Sequence, residues 1–380
     1  MTHVTVNSDL LRWARKRAGF GLENLRKRFP KLEAWERGEG APTLKQLEAF
    51  AKAVFVPIGY LFLEQPPEEK IPISDLRIMG GGMSIPPSPD LLDVLHLCQR
   101  RQAWYRDFAR SVAEEPRRFV GSVNIESPVE ETAATMREAL GFDLEVQRSC
   151  PTWTEALRKF IAHTEDSGIL VMVSGVVGSN NRRKLDPKEF RGFALADEYA
   201  PLVFINGSDT KAAQIFTLAH ELAHIWLGES AISDVSPASR PSQGIEIWCN
   251  NVAAELLVPI KLLKDSLPPT HPLDAVQYLA RQFKVSTLVI LRRIMDAGAI
   301  SRNIFQNAYD QELERLYSLT KSSGGNFYLT QEARASRRFV QALVISTLEG
   351  QTLYRDAFHL LGIKKERTFN EFGTRIGVIL

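Results

Sequence analysis

Residues 219–224 read Ala-His-Glu-Leu-Ala-His and lie inside a long apolar run that ends at Leu227. Apolar side chains recur through this run at helical spacing, so it is predicted to form one helix. Because positions four apart lie on the same face of a helix, His220 and His224 are expected to direct their imidazole rings at one point. Glu221 would lie beside them.

A His-Glu-x-x-His pattern on a helix supplies the side chains of a zinc-dependent hydrolytic site. Zinc binds neutral imidazole nitrogens, and a catalytic site keeps one coordination position for water. A neighbouring carboxylate can accept a proton from that water. His220 and His224 are therefore candidate metal ligands, and Glu221 is the candidate catalytic base. The alternative is a chance pair of histidines that are satisfied by hydrogen bonds.

A catalytic zinc also needs a third protein ligand, which the motif itself does not supply. Six downstream residues carry suitable side chains: Glu229, Asp234, Glu246, Cys249, Glu255 and His271. A helix predicted to begin near residue 243 places Glu246 and Asn250 on one face, four residues apart. This spacing favours Glu246 as the ligand and Asn250 as a residue that supports the ligands. Glu255 on the same helix is the second choice, followed by Cys249.

Length and composition limit the class of protein. A chain of 380 residues suggests roughly two or three domains. Its 47 basic and 45 acidic residues leave a net charge of +2, so any nucleic-acid binding must be local. Three separated cysteines do not suggest a disulfide framework and favour a reducing compartment. No apolar run approaches about 18 residues, so a cytoplasmic protein without membrane contact is expected.

Residues 8–63 are predicted to form a compact set of short helices, separated by glycine and proline. The sequence here resembles the Xre-type (lambda-repressor-like) helix-turn-helix module. Three stretches carry the resemblance: Leu-Arg at 11–12 with residues 15–18, Trp-Glu-Arg-Gly at 35–38, and Pro-Thr-Leu-Lys-Gln-Leu at 42–47. The resemblance implies a recognition helix that enters the major groove of double-stranded DNA.

The module departs from that family pattern between Arg26 and Trp35, which are closer in sequence by about one helical turn. Base contacts would lie in the missing turn. Two interpretations therefore remain: a DNA-binding module of altered or weak specificity, and a repressor-like fold used for protein contact. The candidate contacts to DNA phosphates are five basic residues: Arg26, Lys27, Arg28, Lys31 and Arg37.

Strand patterns precede the His-Glu-x-x-His helix at residues 169–173, 190–196 and 201–206. They predict a small sheet beside that helix, and zinc peptidases use such a sheet edge to align an extended peptide. Residues 174–187 are predicted to form a loop at the rim of the cleft. Asp209 is predicted to be the N-cap of the helix. The expected fold class is α+β and mostly helical.

The chain resembles the ImmA/IrrE family of zinc metallopeptidases in two stretches. The first is the motif at 220–224. The second is the downstream pattern of Glu246, Cys249 and Asn250, which continues as Ala-Ala-Glu-Leu-Leu-Val-Pro at 253–259. The resemblance implies one Zn²⁺ per chain, bound by His220, His224 and Glu246, with Glu221 as the general base. It further implies an endopeptidase that acts in stress response and gene regulation and cleaves a repressor or antitoxin-type protein.

The predicted organisation has four parts. Residues 1–63 form the helix-turn-helix module, 64–90 a Pro/Gly-rich linker, 91–300 the metallopeptidase domain with a helical N-terminal part, and 301–380 a helical C-terminal extension to which no chemistry is assigned. The alternative function is a DNA-binding regulator, or an antitoxin-like partner, whose peptidase fold mainly binds protein. The sequence predicts no oligomeric state.

Overall fold

The computed structural model describes residues 3–69, 71–75, 87–233, 244–318 and 334–378. The chain divides into two compact units. Met1–Pro72 and Ile85–Asp93 form the first, and Ile73–Ser84 and Val94–Leu380 form the second. Helices predominate in both, and a small mixed sheet lies in the second, which confirms the predicted α+β class.

The first unit is built from short helices around one apolar core. Its elements are α1 (Ser8–Arg17), α2 (Leu22–Arg26), α3 (Leu32–Glu36), α4 (Leu44–Ala53) and a 3-10 helix (Ile58–Phe62). Leu10, Trp35 and Phe50 are buried in the core. A buried ion pair joins α1 to α3, in which Arg15 Nε donates to Glu36 Oε1 over 2.7 Å. This pairing removes Arg15 from the basic surface of the module.

The second unit contains the remaining helices, of which α5 begins within the first unit. They are α5 (Pro89–Ser111), α6 (Val129–Leu140), α7 (Leu144–Ser149), α8 (Trp153–Asp166), α9 (Lys211–Leu227), α10 (Gly244–Leu257), α11 (Ile260–Ser266), α12 (Val276–Phe283), α13 (Thr287–Asp296), α14 (Arg302–Ser318), α15 (Arg337–Leu348), α16 (Tyr354–Leu361) and α17 (Glu366–Arg375). A 3-10 helix (Pro272–Ala275) precedes α12. Among these described residues, no helix is both long and apolar enough to cross a bilayer.

The strands of the second unit form a five-stranded sheet and a separate hairpin. They are β1 (Ser74–Asp75), β2 (Leu170–Ser174), β3 (Val176–Val177), β4 (Asn180–Lys184), β5 (Gly192–Leu195), β6 (Leu202–Asn206) and β7 (Ala231–Ser233). The sheet order is β1-β7-β5-β6-β2. β5 is antiparallel to both of its neighbours, whereas β1 is parallel to β7 and β2 is parallel to β6. Strand β7 therefore lies between β5 and the short edge strand β1, which has two residues.

The sheet is the middle layer of the second unit. Val171 and Val203 on one face belong to the apolar core that also contains residues of α8, α9 and α10. On the other face, Met172 Sδ contacts Cys98 and Arg101 of α5. Both faces are therefore covered by helices, as expected for a sheet whose inner strands are buried on both sides.

Two local predictions need correction, and the predicted linker is described only in part. The N-cap of α9 is Thr210, not Asp209, because the Thr210 hydroxyl accepts a hydrogen bond from the Ala213 amide. The predicted loop at 174–187 contains the hairpin β3–β4, which turns at Gly178 with a positive φ of 53°. The predicted linker contributes β1 to the sheet, and its residues 76–86 lie outside the described part of the chain.

Candidate metal centre

Helix α9 holds the His-Glu-x-x-His motif at the centre of the second unit. It ends at Gly228, whose positive φ of 74° is the left-handed conformation that favours glycine at a helix end. Apolar side chains surround nearly the whole helix, which is typical of a fully buried helix. His220, Glu221 and His224 each have 0% of their surface exposed. The polar groups of the motif are thus removed from bulk water.

Three donor atoms from two helices converge beside Glu221. His220 Nε2 lies 3.1 Å from His224 Nε2. Glu246 on α10 brings Oε1 to 3.2 Å from His224 Nε2 and Oε2 to 3.4 Å from His220 Nε2. In the described part of the chain, these three residues are the only group of His, Cys, Asp or Glu side chains arranged to hold a metal ion.

The separations and the chemistry of the donors fit a tetrahedral metal. Zinc–nitrogen and zinc–oxygen bonds of about 2.0 to 2.1 Å give tetrahedral edges of about 3.3 Å. The two imidazole nitrogens are 3.1 Å apart, and each lies 3.2 or 3.4 Å from one of the two oxygens of the Glu246 carboxylate, so the separations lie around this value. Two imidazoles and one carboxylate also form a donor set of known zinc peptidases. The side chains present therefore fit a divalent metal ion.

Asn250 lies beside one of the imidazole rings. It lies one helical turn after Glu246 on α10, and its Oδ1 is 3.1 Å from His220 Nδ1. A proton on Nδ1, donated to this oxygen, leaves the lone pair of Nε2 directed at the other donors. Ala253, fully buried further along α10, has a small side chain that lets α10 pack closely along α9. Glu246 and Asn250 therefore lie on the same face of α10, towards His220, as their spacing predicted.

The charges at the centre are strongly coupled. Burial would raise the pKa of Glu246, but the neighbouring His220 and His224 imidazoles outweigh burial and lower it. Burial, reinforced by the nearby Glu246 carboxylate, raises the pKa of Glu221 well above its ordinary value. The Ser233 hydroxyl partly opposes this shift, although neither carboxylate oxygen of Glu221 makes a hydrogen bond of normal geometry with the described residues. A buried polar group without a partner is costly and indicates a functional role.

Two residues at the centre were not identified from the sequence. Ser233, at the end of β7, is fully buried, and its Oγ lies 3.3 Å from His224 Nε2 and 3.4 Å from Glu246 Oε1. Gly192 on β5 pairs with Ser233 across the sheet and lies against Glu221. A glycine inside a strand pattern signals a close approach and could have drawn attention to Gly192. No local signal marks Ser233.

The other candidate ligands lie elsewhere or are engaged otherwise. Glu255 is buried in an ion pair with Arg293 and accepts a hydrogen bond from the Ile260 amide. Glu229 and His271 are exposed. The buried Cys249 is not part of the metal group, and burial raises the pKa of its thiol. Asp234 lies outside the described residues.

The five candidate DNA contacts all belong to the first unit. Arg26, Lys27, Arg28, Lys31 and Arg37 are exposed. Arg37 lies 3.6 Å from Glu33 and 3.5 Å from Glu39, so its charge is partly balanced. The Arg28 guanidinium lies over the Phe29 ring at 5.3 Å. Helix α3, where a recognition helix is expected, contains 5 residues.

Comparisons with known proteins show that two segments of the chain match family models. Residues 164–295, which include the metal centre, match a family model described as the IrrE N-terminal-like domain. Residues 335–375 match a model described as a domain of unknown function (DUF8813). The first match covers about a third of the chain, and the second includes α15, α16 and α17.

Two curated relatives are similar to part of the chain. The radiation response metalloprotease IrrE of Deinococcus deserti is 36% identical over 104 residues, which are 26% of this chain and 37% of the relative. The protein of the same name from Deinococcus radiodurans is 34% identical over 121 residues, 30% of this chain and 36% of the relative. The chain thus spans little more than a third of the length of these relatives. From its residue 164 to its residue 295, this chain carries a domain similar to that of the IrrE metalloproteases.

Proposed function

We propose that the chain is a zinc-dependent endopeptidase, linked to transcriptional regulation, that cleaves a repressor or antitoxin-type protein. One observation carries the enzymatic part of the proposal. The Glu221 carboxylate is fully buried next to the three candidate metal ligands and makes no hydrogen bond of normal geometry with the described residues. A structural carboxylate would be paired, whereas a catalytic base must keep its oxygens available for a reacting proton.

Each residue of the centre has a separate role in the proposed peptide hydrolysis. A bound divalent ion lowers the pKa of water and polarises a carbonyl group. His220, His224 and Glu246 would hold the ion, and Asn250 would keep the His220 ring in the tautomer that binds through Nε2. Glu221 accepts the proton from the attacking water and returns it to the leaving amide nitrogen. The dry surroundings strengthen each of these electrostatic interactions.

The enzymatic part is tested with the variant Glu221→Gln, which keeps the shape of the side chain but removes the base. Native chain and variant are purified, and their metal content is measured. They are then incubated with a lysate of the source cells, and new protein N-termini are identified by chemical labelling. We expect one zinc per chain in both proteins and new N-termini only with the native chain. A native chain that binds zinc and produces no new N-termini would contradict the proposal.

The regulatory part rests on the resemblance of the first unit to repressor modules and on its exposed basic residues. Binding through phosphate contacts weakens with salt in proportion to the number of contacts. A gel shift with the upstream promoter should therefore show binding at low salt that is lost as salt increases. Replacing Arg26, Lys27 and Arg28 by Ala should reduce this dependence. Absence of binding at low salt would leave protein contact as the role of the module.

The alternative is a regulator or antitoxin-like partner with little proteolysis. It is favoured by the complete burial of His220, Glu221 and His224, because a peptide has no access to them in this conformation. Under this alternative, the chain binds its partner protein with equal affinity before and after Glu221→Gln and leaves the partner uncut. Cleavage by the native chain alone decides for the enzyme.

A further inference from the structure

A fourth polar atom, Ser233 Oγ, lies beside two of the three candidate metal ligands. Ser233 Oγ is 3.3 Å from His224 Nε2 and 3.4 Å from Glu246 Oε1. The three donors are separated from one another by 3.1 to 3.4 Å. These separations all lie near the edge of about 3.3 Å of a tetrahedron around zinc. The serine hydroxyl thus has the spacing of a ligand.

The surroundings of Ser233 hold the hydroxyl in this position. The hydroxyl contacts two donor atoms of the centre, and it also lies close enough to the Glu221 carboxylate to oppose the rise of the pKa of that residue. The backbone of Ser233 is fixed by β5, since it pairs with Gly192 and its carbonyl oxygen accepts from the Arg191 amide over 3.5 Å. Its side chain is fully buried. A small neutral hydroxyl in a dry site, aimed at two donor atoms, is well placed to bind a cation.

We propose that Ser233 is a fourth metal ligand in this conformation, and that its hydroxyl takes the coordination position that a catalytic site leaves to water. The inference rests on the proposed function, because it requires a metal held by His220, His224 and Glu246. It adds a resting state to that function. Hydrolysis then requires the Ser233 hydroxyl to leave, which a shift of β7 or a rotation of the side chain achieves.

The first test places a sulfur at the same position. The full chain is prepared with Co²⁺ in place of zinc, as the native protein and as Ser233→Cys and Ser230→Cys. Ser230 is the matched control, because its hydroxyl accepts from the Ala196 amide over 2.9 Å, away from the donors. A thiolate on the metal produces a sulfur-to-cobalt charge-transfer band in the near ultraviolet. We expect this band in Ser233→Cys alone, and the native spectrum controls for the buried Cys249.

The second test removes the hydroxyl and measures access to the metal. Azide is titrated into the Co²⁺ forms of the native chain, Ser233→Ala and Ser230→Ala, and binding is followed in the visible spectrum. Removing a competing ligand should tighten azide binding by about tenfold or more in Ser233→Ala, equivalent to about 1.4 kcal/mol. Ser230→Ala should match the native chain. This test remains decisive where Ser233→Cys does not fold.

The outcomes separate this inference from the proposed function. A native chain that binds one Co²⁺, with no charge-transfer band in Ser233→Cys and unchanged azide affinity in Ser233→Ala, overturns the role of Ser233 and leaves the metal site intact. A native chain that binds no Co²⁺ overturns both. A new band together with tighter azide binding supports Ser233 as the fourth ligand, whatever the rate of proteolysis.

Discussion

Gly192 on β5 lies directly against the carboxylate of Glu221 on α9. A Cβ atom at position 192 would come within 2.9 Å of Glu221 Oε1 and 2.6 Å of the Thr217 methyl group. Contacts this short do not occur between real atoms of these types, so strand and helix approach this closely because residue 192 has no side chain. The position of the candidate base is therefore set by a residue in a different element.

Replacing Gly192 by Ala should lower proteolysis while sparing metal binding. The added methyl group displaces the Glu221 carboxylate, and a misplacement of a catalytic group by about 1 Å can cost about a hundredfold in rate. Zinc content should stay at one per chain, because Gly192 does not touch the donors. Gly59→Ala is the control, since a Cβ there meets nothing within 4 Å. Unchanged cleavage by Gly192→Ala, measured on the protein cut by the native chain, would remove Glu221 from the role of base.

Metal binding should distinguish Glu246 from Glu255, which lies on the same helix. Glu246→Ala should lose stoichiometric zinc, because one of three protein donors is removed. Glu255→Gln should keep zinc but lose stability, since it removes the closer of the two carboxylates that pair with the buried Arg293 and leaves only Asp296 at 3.7 Å. Metal analysis and urea unfolding of both variants check this prediction. If Glu255→Gln lost zinc and Glu246→Ala kept it, Glu255 would be the metal ligand instead of Glu246.

Asn250 should tune metal affinity without being a ligand. Replacing it by Ala removes the oxygen that lies 3.1 Å from His220 Nδ1 and can accept a hydrogen bond from a proton-bearing Nδ1. Loss of such a supporting residue typically weakens metal binding by about 10- to 100-fold. Competition with a chelator measures the affinity. Asn251→Ala, at the exposed neighbouring position, is the matched control and should bind zinc as tightly as the native chain.

Glu165 should make stability depend on pH. This buried residue of α8 accepts a hydrogen bond from the Ser336 hydroxyl over 2.5 Å, at the beginning of α15. Burial raises its pKa from 4.5 to about 7, although Ser336 and the Arg337 charge oppose the shift. Between these values the folded chain holds a proton that the unfolded chain has released. Stability from this group is therefore fully present below pH 4.5 and is lost as the pH rises towards 7.

Glu165→Gln removes this titration. The free energy of unfolding of the variant, relative to that of the native chain, should therefore increase as the pH rises from 4.5 to 7. A pKa shift of this size corresponds to at most about 3 kcal/mol. Urea unfolding at several pH values measures the difference. Glu138→Gln, an exposed position, serves as the control. A difference between Glu165→Gln and the native chain that does not change with pH would contradict the prediction.

Periodicity within single helices was the most informative part of the sequence. The spacing of His220 and His224, and of Glu246 and Asn250, predicted two helix faces, and the structure brings these faces together. The mostly helical α+β class was confirmed. The roles of these side chains in binding and catalysis stay predictions, because a shared position does not by itself show which ion is bound or which reaction occurs.

Relationships between strands were less accessible from the sequence. Ser233 and Gly192 lie 41 positions apart in the numbering and meet only through the register of β5 and β7. Register follows from the packing of the complete sheet, so neither residue could be assigned to the centre from its local pattern. The hairpin at 176–184 was predicted as loop for a related reason, since its exposed second strand carries polar residues instead of an apolar alternation.

Strand β1 covers the edge of β7 to which an extended peptide would otherwise add. Ser74 and Asp75 pair with Ala231 and Ile232, immediately before Ser233. An extended peptide that adds to β7 at this edge must displace an intramolecular segment, whose effective concentration does not fall on dilution. Two paired residues are nevertheless a short contact. If the proposed peptidase aligns its substrate at this edge, long extended segments would displace β1 more readily than short peptides, and β1 would set a minimum length for the substrate.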